Sequence, residues 1–182
     1  MPEETPELGE PEAAELVRKI EAGEDGIVVP AELLEEPEER KAPPPQNLYA
    51  QILRMSMAAK IKLALRGNRD ARMILIRDTN KLLRRFVVMN PRIGEDEVIA
   101  VTRNKSVDEE LLRMITERRE WMRNYQVRLG LATNPKARLP IALRQLSTLG
   151  ERDLRLIARS KNVPQAISAQ ARRLLMTVKA PK

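Results

Sequence analysis

The chain has 182 residues, of which 42% are hydrophobic and only 2% aromatic, with 33 Lys and Arg against 26 Asp and Glu. It contains no histidine and no cysteine, which excludes disulfides, thiol nucleophiles, thiolate or imidazole metal ligands and the commonest general base. A core made from Leu, Ile, Val, Met and Ala suits short, closely packed helices and gives little material for a β-sandwich, so the expected class is all-α.

The net charge of +7 divides unevenly. Residues 1–47 carry 14 acidic and 4 basic side chains, whereas residues 48–182 carry 12 acidic and 29 basic ones. Two stretches of opposite sign attract each other or an outside partner. The first stretch also holds eight of the thirteen prolines and few large apolar residues. Such a composition buries too little surface to offset the entropy of ordering a chain, so 1–47 is expected to be a mostly disordered acidic, Pro-rich tail ahead of a basic helical domain, 48–182. Inside the tail, Leu16, Val17 and Ile20 have the spacing of a short amphipathic helix after Pro11, and Ile27-Val28-Val29 with Leu33-Leu34 form a second apolar patch. Both read as docking motifs or as incidental helicity, and Pro43-Pro44-Pro45 as a stiff spacer. The first thirty residues lack a basic segment followed by an apolar one, and no run approaches the roughly 18 apolar residues of a membrane span. A soluble, cytoplasmic protein with no membrane partner is expected.

From Leu48 onward, apolar residues recur at helical spacing between short breaks. Met57, Ile61, Ala64 and Leu65 mark a helix ending at Gly67, which is expected to be a left-handed cap. The run Met73-Ile74-Leu75-Ile76 predicts a helix covered on both flanks, and Asp78 and Thr79 suit the N-cap of the next. That helix buries Leu82, Leu83, Phe86 and Val87 and stops at Asn90, because the residue before Pro91 is pushed out of the α region. Glu95-Asp96-Glu97 and Asp108-Glu109-Glu110 each stand where a helix begins, and there they offset the helix dipole. Ser106 with Glu109 reads as a capping box.

A second unit then repeats the first. Residues 125–133 run into Asn134-Pro135 as residues 82–89 run into Asn90-Pro91, with about 44 residues between the two prolines. Leu139, Ala142, Leu143, Leu146 and Leu149 continue on one face up to Gly150; Leu154, Ile157 and Ala158 follow, and Pro164 opens a last helix. Asn90 and Asn134 are read as caps for helix-end amides. The pattern predicts about nine short helices. With the stretch 107–115 set against 151–158 and the run 162–167, it resembles bacterial HEAT-like and leucine-rich-repeat-variant helical repeats over residues 56–176. The resemblance implies a right-handed, HEAT/armadillo-like α-solenoid that presents binding surfaces, and says little of activity. The cysteine cluster of some variant-repeat proteins is missing, so no iron–sulfur cofactor is expected, and no metal site is assigned.

Gly67, Gly94, Gly130 and Gly150 are isolated, so no phosphate loop is present, and the acidic clusters are explained by the helix starts. No catalytic residue is assigned and no cofactor is expected. Arginine far outnumbers lysine, and its guanidinium suits paired contact with carboxylate or phosphate. Equivalent positions line up in a stacked array, so Lys62, Arg66, Arg69, Arg72 and Arg77, then Arg84, Arg85, Arg118 and Arg119 at the unit edges, and Arg152, Arg155, Arg159, Arg172 and Arg173 at the far end are candidates for a positive stripe. The partner-binding candidates are Arg84 and Arg85 with Arg118, Arg119, Arg123 and Arg128, the last four flanking two aromatic rings. Trp121 and Tyr125, four apart among those arginines, are candidates to anchor a partner or to close the core between two units. The expected function is a non-enzymatic scaffold binding an acidic protein segment through this face, with the chain's own tail as a competing ligand. Nucleic acid is the second partner class that the arginines suit.

Overall fold

The computed structural model describes residues 9–36 and 46–179, and among these every regular element is helical: twelve α-helices and one short 3-10 turn. The all-α expectation is met. The chain divides into two compact units, Met1–Ile93 and Gly94–Lys182.

Unit 1 contains α1 (Glu10–Ala22), the 3-10 turn Ala31–Leu33, α2 (Gln46–Leu53), α3 (Met57–Arg66), α4 (Arg69–Leu75) and α5 (Lys81–Met89). Pro11 and the first-turn acids Glu10 and Glu12 favour the start of α1, and Gly23, at φ 76°, takes the left-handed conformation that ends it. The core gathers Ile20 and Leu33 with Ile52, Ile61, Leu63, Leu75, Leu83 and Phe86. Residues 9–36 are thus part of the fold, and the expectation of a disordered tail over 1–47 does not hold for them. The segment has too few apolar residues to fold alone, but Ile20 and Leu33, 1% and 4% exposed, complete a core that the other helices supply. Residues 37–45, with the proline spacer, lie outside the described residues.

Polar contacts fix the same segment. Lys62 Nζ donates to Asp25 Oδ1 and to the Ile27 carbonyl, both at 2.7 Å, and Arg66 Nη2 to the Glu21 carbonyl at 2.8 Å. Arg92 reaches the carbonyls of Leu34 and Arg66, and the buried Arg72 pairs with Glu36 at 2.5 Å. Four basic side chains thereby hold one acidic segment.

Unit 2 contains α6 (Glu95–Arg103), α7 (Glu109–Glu117), α8 (Arg119–Arg123), α9 (Tyr125–Thr133), α10 (Leu139–Leu146), α11 (Glu151–Arg159) and α12 (Gln165–Lys179). Helix α9 packs on α6, α8 and α10, and α12 on α10 and α11. One core cluster joins Ala132, Ala142, Leu146, Leu154, Ile157 and Ile167. Gly130 allows the close approach of α9 to α6: a Cβ there would stand 2.3 Å from Thr102 Oγ1 and 2.8 Å from its Cβ.

The recurrence at 44 residues goes beyond the prolines. Asn80 caps α5 by accepting from Leu82 N and Leu83 N, and Asn124 caps α9 by accepting from Gln126 N. Each of these two nine-residue helices then ends at an Asn-Pro pair. Three local expectations are corrected. Gly67 has φ −65° and ψ 158°, an extended and not a left-handed residue. Asn80, not Asp78 or Thr79, caps α5; Asp78 instead accepts from Asn80 N at 2.9 Å. Asp108, not Ser106, stands at the N-cap of α7, and Ser106 N donates to Asn104 Oδ1 in an Asx turn. Residues 46–179 form eleven helices, two more than expected, because α2 and the five-residue α8 are separate elements.

Candidate functional site

Trp121 and Tyr125 do not share a helix face, as their spacing suggested. Asn124 ends α8 and caps α9 with its own side chain, so the chain turns between the two rings. Each ring then takes its own arginine: Arg118 Cζ lies 4.5 Å from the Trp121 ring centroid, and Arg128 Cζ lies 5.7 Å from that of Tyr125. Both distances are within cation–π range. Trp121 is buried, so it closes the core and is not presented to a partner.

The predicted arginines separate into three groups. Arg118 and Arg128 are half-buried on their rings, and Arg118 also approaches Glu120 at 4.0 Å. Arg119 and Arg123 are exposed at the two ends of α8 and form no ion pair among the described residues. Arg84 and Arg85 belong to α5 in the other unit, where Arg84 is half-buried and donates to the Thr79 carbonyl at 3.4 Å and Arg85 is exposed.

Asn90 and Asn134 do more than cap. Asn134 Nδ2 donates to the carbonyls of Thr102 and Asn104, at 2.7 and 3.0 Å, while Oδ1 accepts from Lys136 N. Asn90 repeats the arrangement on the carbonyls of Ala64 and Gly67, with Oδ1 accepting from Arg92 N. Each amide ties the end of one helix to the end of an earlier one. These buried side chains are structural clamps.

Unit 2 holds a cleft of about 380 Å³ that the sequence reading did not locate. It lies between the end of α6 (Thr102, Arg103, Lys105), the second half of α9 (Leu129, Gly130, Thr133) and α11 with the residues after it (Asp153, Leu156, Ile157, Ser160, Val163). Its only carboxylate, Asp153, accepts a hydrogen bond from the Tyr125 hydroxyl, which itself accepts from Gly150 N at 3.1 Å. Because the neutral phenol donates to that carboxylate, and because it is partly buried, the Tyr125 hydroxyl titrates above its ordinary range. Tyr125 therefore acts from behind the wall, holding α9 to the start of α11. Arg103 donates to Gln126 Oε1 at 2.5 Å, and Lys105 has no ion-pair partner among the described residues. Leu156 is 62% exposed within this lining. The sequence carries a signal for it: Leu156 falls out of register with the buried stripe of Leu154, Ile157 and Ala158.

The cleft has two cations, several small hydroxyls and an apolar floor. It offers no nucleophile paired with a base. Among the described residues, no group of three His, Cys, Asp or Glu side chains could hold a metal ion, and no helix is long and apolar enough to cross a membrane. No protein-family model, curated protein or solved structure matches the chain.

Proposed function

We propose that this chain is a non-enzymatic adaptor, a HEAT-like helical-repeat protein of α-solenoid type whose basic residues bind an acidic protein segment. The observation that carries the reading is charge left without internal compensation. Residues 94–182 hold 18 Lys and Arg against 10 Asp and Glu. Arg103, Lys105, Arg119, Arg123, Arg152 and Arg159 make no ion pair among the described residues, and all six are exposed. Like charges held together raise the potential of the surface and draw an acidic partner to it. The 44-residue recurrence of two capping asparagines and two clamps supports a duplicated helical unit, and repeats of this kind serve as binding surfaces.

Nucleic acid is the second reading, since the same arginines suit phosphate. The one tryptophan is buried and Tyr125 is engaged by Asp153, which leaves unit 2 without a free aromatic platform for bases. Fluorescence anisotropy separates the two. The full chain is titrated with a labelled Glu-rich peptide and with a labelled single-stranded oligonucleotide of equal charge, at about 50 and 200 mM salt. The adaptor reading expects tighter binding of the peptide at both salt concentrations. Tighter oligonucleotide binding that collapses at the higher salt selects the second reading.

A further inference from the structure

We infer that the cleft of unit 2 seats an acidic peptide segment by one aliphatic anchor side chain, an assignment that rests on the adaptor reading and specifies its site. Leu156 carries the apolar half of the argument. It is 62% exposed, yet it stands in a concave lining with Leu129, Ile157 and Val163. A side chain entering there would remove Leu156 from water, and a cleft of about 380 Å³, at the small end of ligand sites, suits one anchor better than an extended apolar ligand.

Charge supplies the other half. Arg152 and Arg159 stand four residues before and three after Leu156, positions that share its face of α11, and both are exposed without an ion pair among the described residues. Arg103 and Lys105 add two cations from the end of α6. Asp153, the only carboxylate of the lining, is already engaged by the Tyr125 hydroxyl. Two cations therefore line an apolar seat whose one anion is taken, two more share the Leu156 face of α11, and a segment with carboxylates on either side of a Leu or Ile complements them. No aromatic ring belongs to the lining, so a nucleobase would find no stacking surface. Unit 1 shows this protein using the same chemistry once already. There Lys62, Arg66, Arg72 and Arg92 hold an acidic segment through both its carboxylates and its carbonyls.

The test uses the full chain and two labelled peptides, one alternating Glu with Leu and one alternating Glu with Ser. The Glu/Leu peptide is expected to bind about tenfold more tightly, as burial of one aliphatic side chain predicts. Leu156→Ser should abolish that preference; the residue is largely exposed, so the melting temperature should stay unchanged. Lys105→Glu should weaken both peptides alike. Arg144→Ala, exposed on α10 and outside the lining, should change neither. If the preference survives Leu156→Ser, the cleft is overturned while acidic-peptide binding, and with it the adaptor reading, stands. If neither peptide binds, both fall. Displacement of bound peptide by an oligonucleotide that is indifferent to Leu156→Ser also overturns the cleft and favours the nucleic-acid reading.

Discussion

At the scale of single residues, the Asn-Pro pair was legible as a helix stop and illegible as a clamp. Proline forbids the preceding residue the α conformation, so the break at Asn90 and Asn134 follows from the sequence. The carbonyls that their amides reach lie 26 and 32 residues earlier in the chain, and no local rule points to them. The two roles make opposite predictions. A cap that only accepts would tolerate aspartate, since Asp and Asn are equally good at that task. A clamp that donates to two carbonyls would not, because a carboxylate would face two like partial charges. We expect Asn134→Ala to cost about 2–3 kcal/mol, the range for leaving buried polar groups unpaired, and Asn134→Asp to cost more. Urea midpoints of the two variants decide it, and an aspartate variant as stable as the parent would restore the simple cap. Gly130 is a second residue whose meaning needed the fold. Alanine there gains about 1 kcal/mol of helix propensity but sets a Cβ against the Cβ of Thr102, which is fully buried and cannot swing away. The strain of overpacking, about 1–3 kcal/mol, should outweigh the gain, so Gly130→Ala should lower the melting temperature, whereas an open helix–helix contact would let it rise.

Among elements, the N-terminal segment departs most from what composition predicts. Its amphipathic spacing at Leu16, Val17 and Ile20 was visible, and α1 forms there. Its docking was not visible, because the residues that receive it, Lys62, Arg66, Asn68 and Arg92, are spread over the next helices. Asn68 makes the point clearest. Its Nδ2 donates to the carbonyls of Glu32 and Glu35, at 2.8 and 3.1 Å, as Asn90 does to Ala64 and Gly67. The 3-10 turn Ala31–Leu33 and the residues after it thereby take the place that a preceding helix end takes for Asn90. Asp25 gives this docking a pH dependence. The Lys62 ammonium, hydrogen-bonded to it, and the amide of Ile27 hold its carboxyl below the ordinary range despite its burial. The folded state then binds fewer protons than the unfolded state, so this contribution is present at neutral pH and fades as pH falls through the carboxylate range. Asp25→Asn should be less stable than the parent at pH 7, and the gap should narrow as pH falls below the ordinary aspartate range. Urea midpoints measured across that range check the expectation, and a constant gap would remove Asp25 as its cause.

At the scale of the whole chain, the opposition of charge between residues 1–47 and 48–182 suggests a competing tail, a form too loose for residues 9–36. An acidic tail that competes for a partner site should leave when cut away and tighten binding. Residues 9–36 are instead built into unit 1: Ile20 and Leu33 are core residues, and Glu36 pairs with an arginine that is 2% exposed. Removing residues 1–36 would take Ile20 and Leu33 out of the unit 1 core and Glu36 away from the buried Arg72. The loss of two fully buried aliphatic side chains alone amounts to about 3–6 kcal/mol. For a unit of this size that corresponds to a fall of more than about 10 °C in its melting transition. The carboxylates and carbonyls of residues 21–36 are already held within unit 1 by Lys62, Arg66, Arg72 and Arg92, so peptide affinity should not rise when the segment is removed. Calorimetry and anisotropy on the chain with and without residues 1–36 measure both quantities. A lowered transition with unchanged affinity identifies the segment as a structural cap of unit 1, whereas an unchanged transition with tighter peptide binding would return it to the role of a competing ligand.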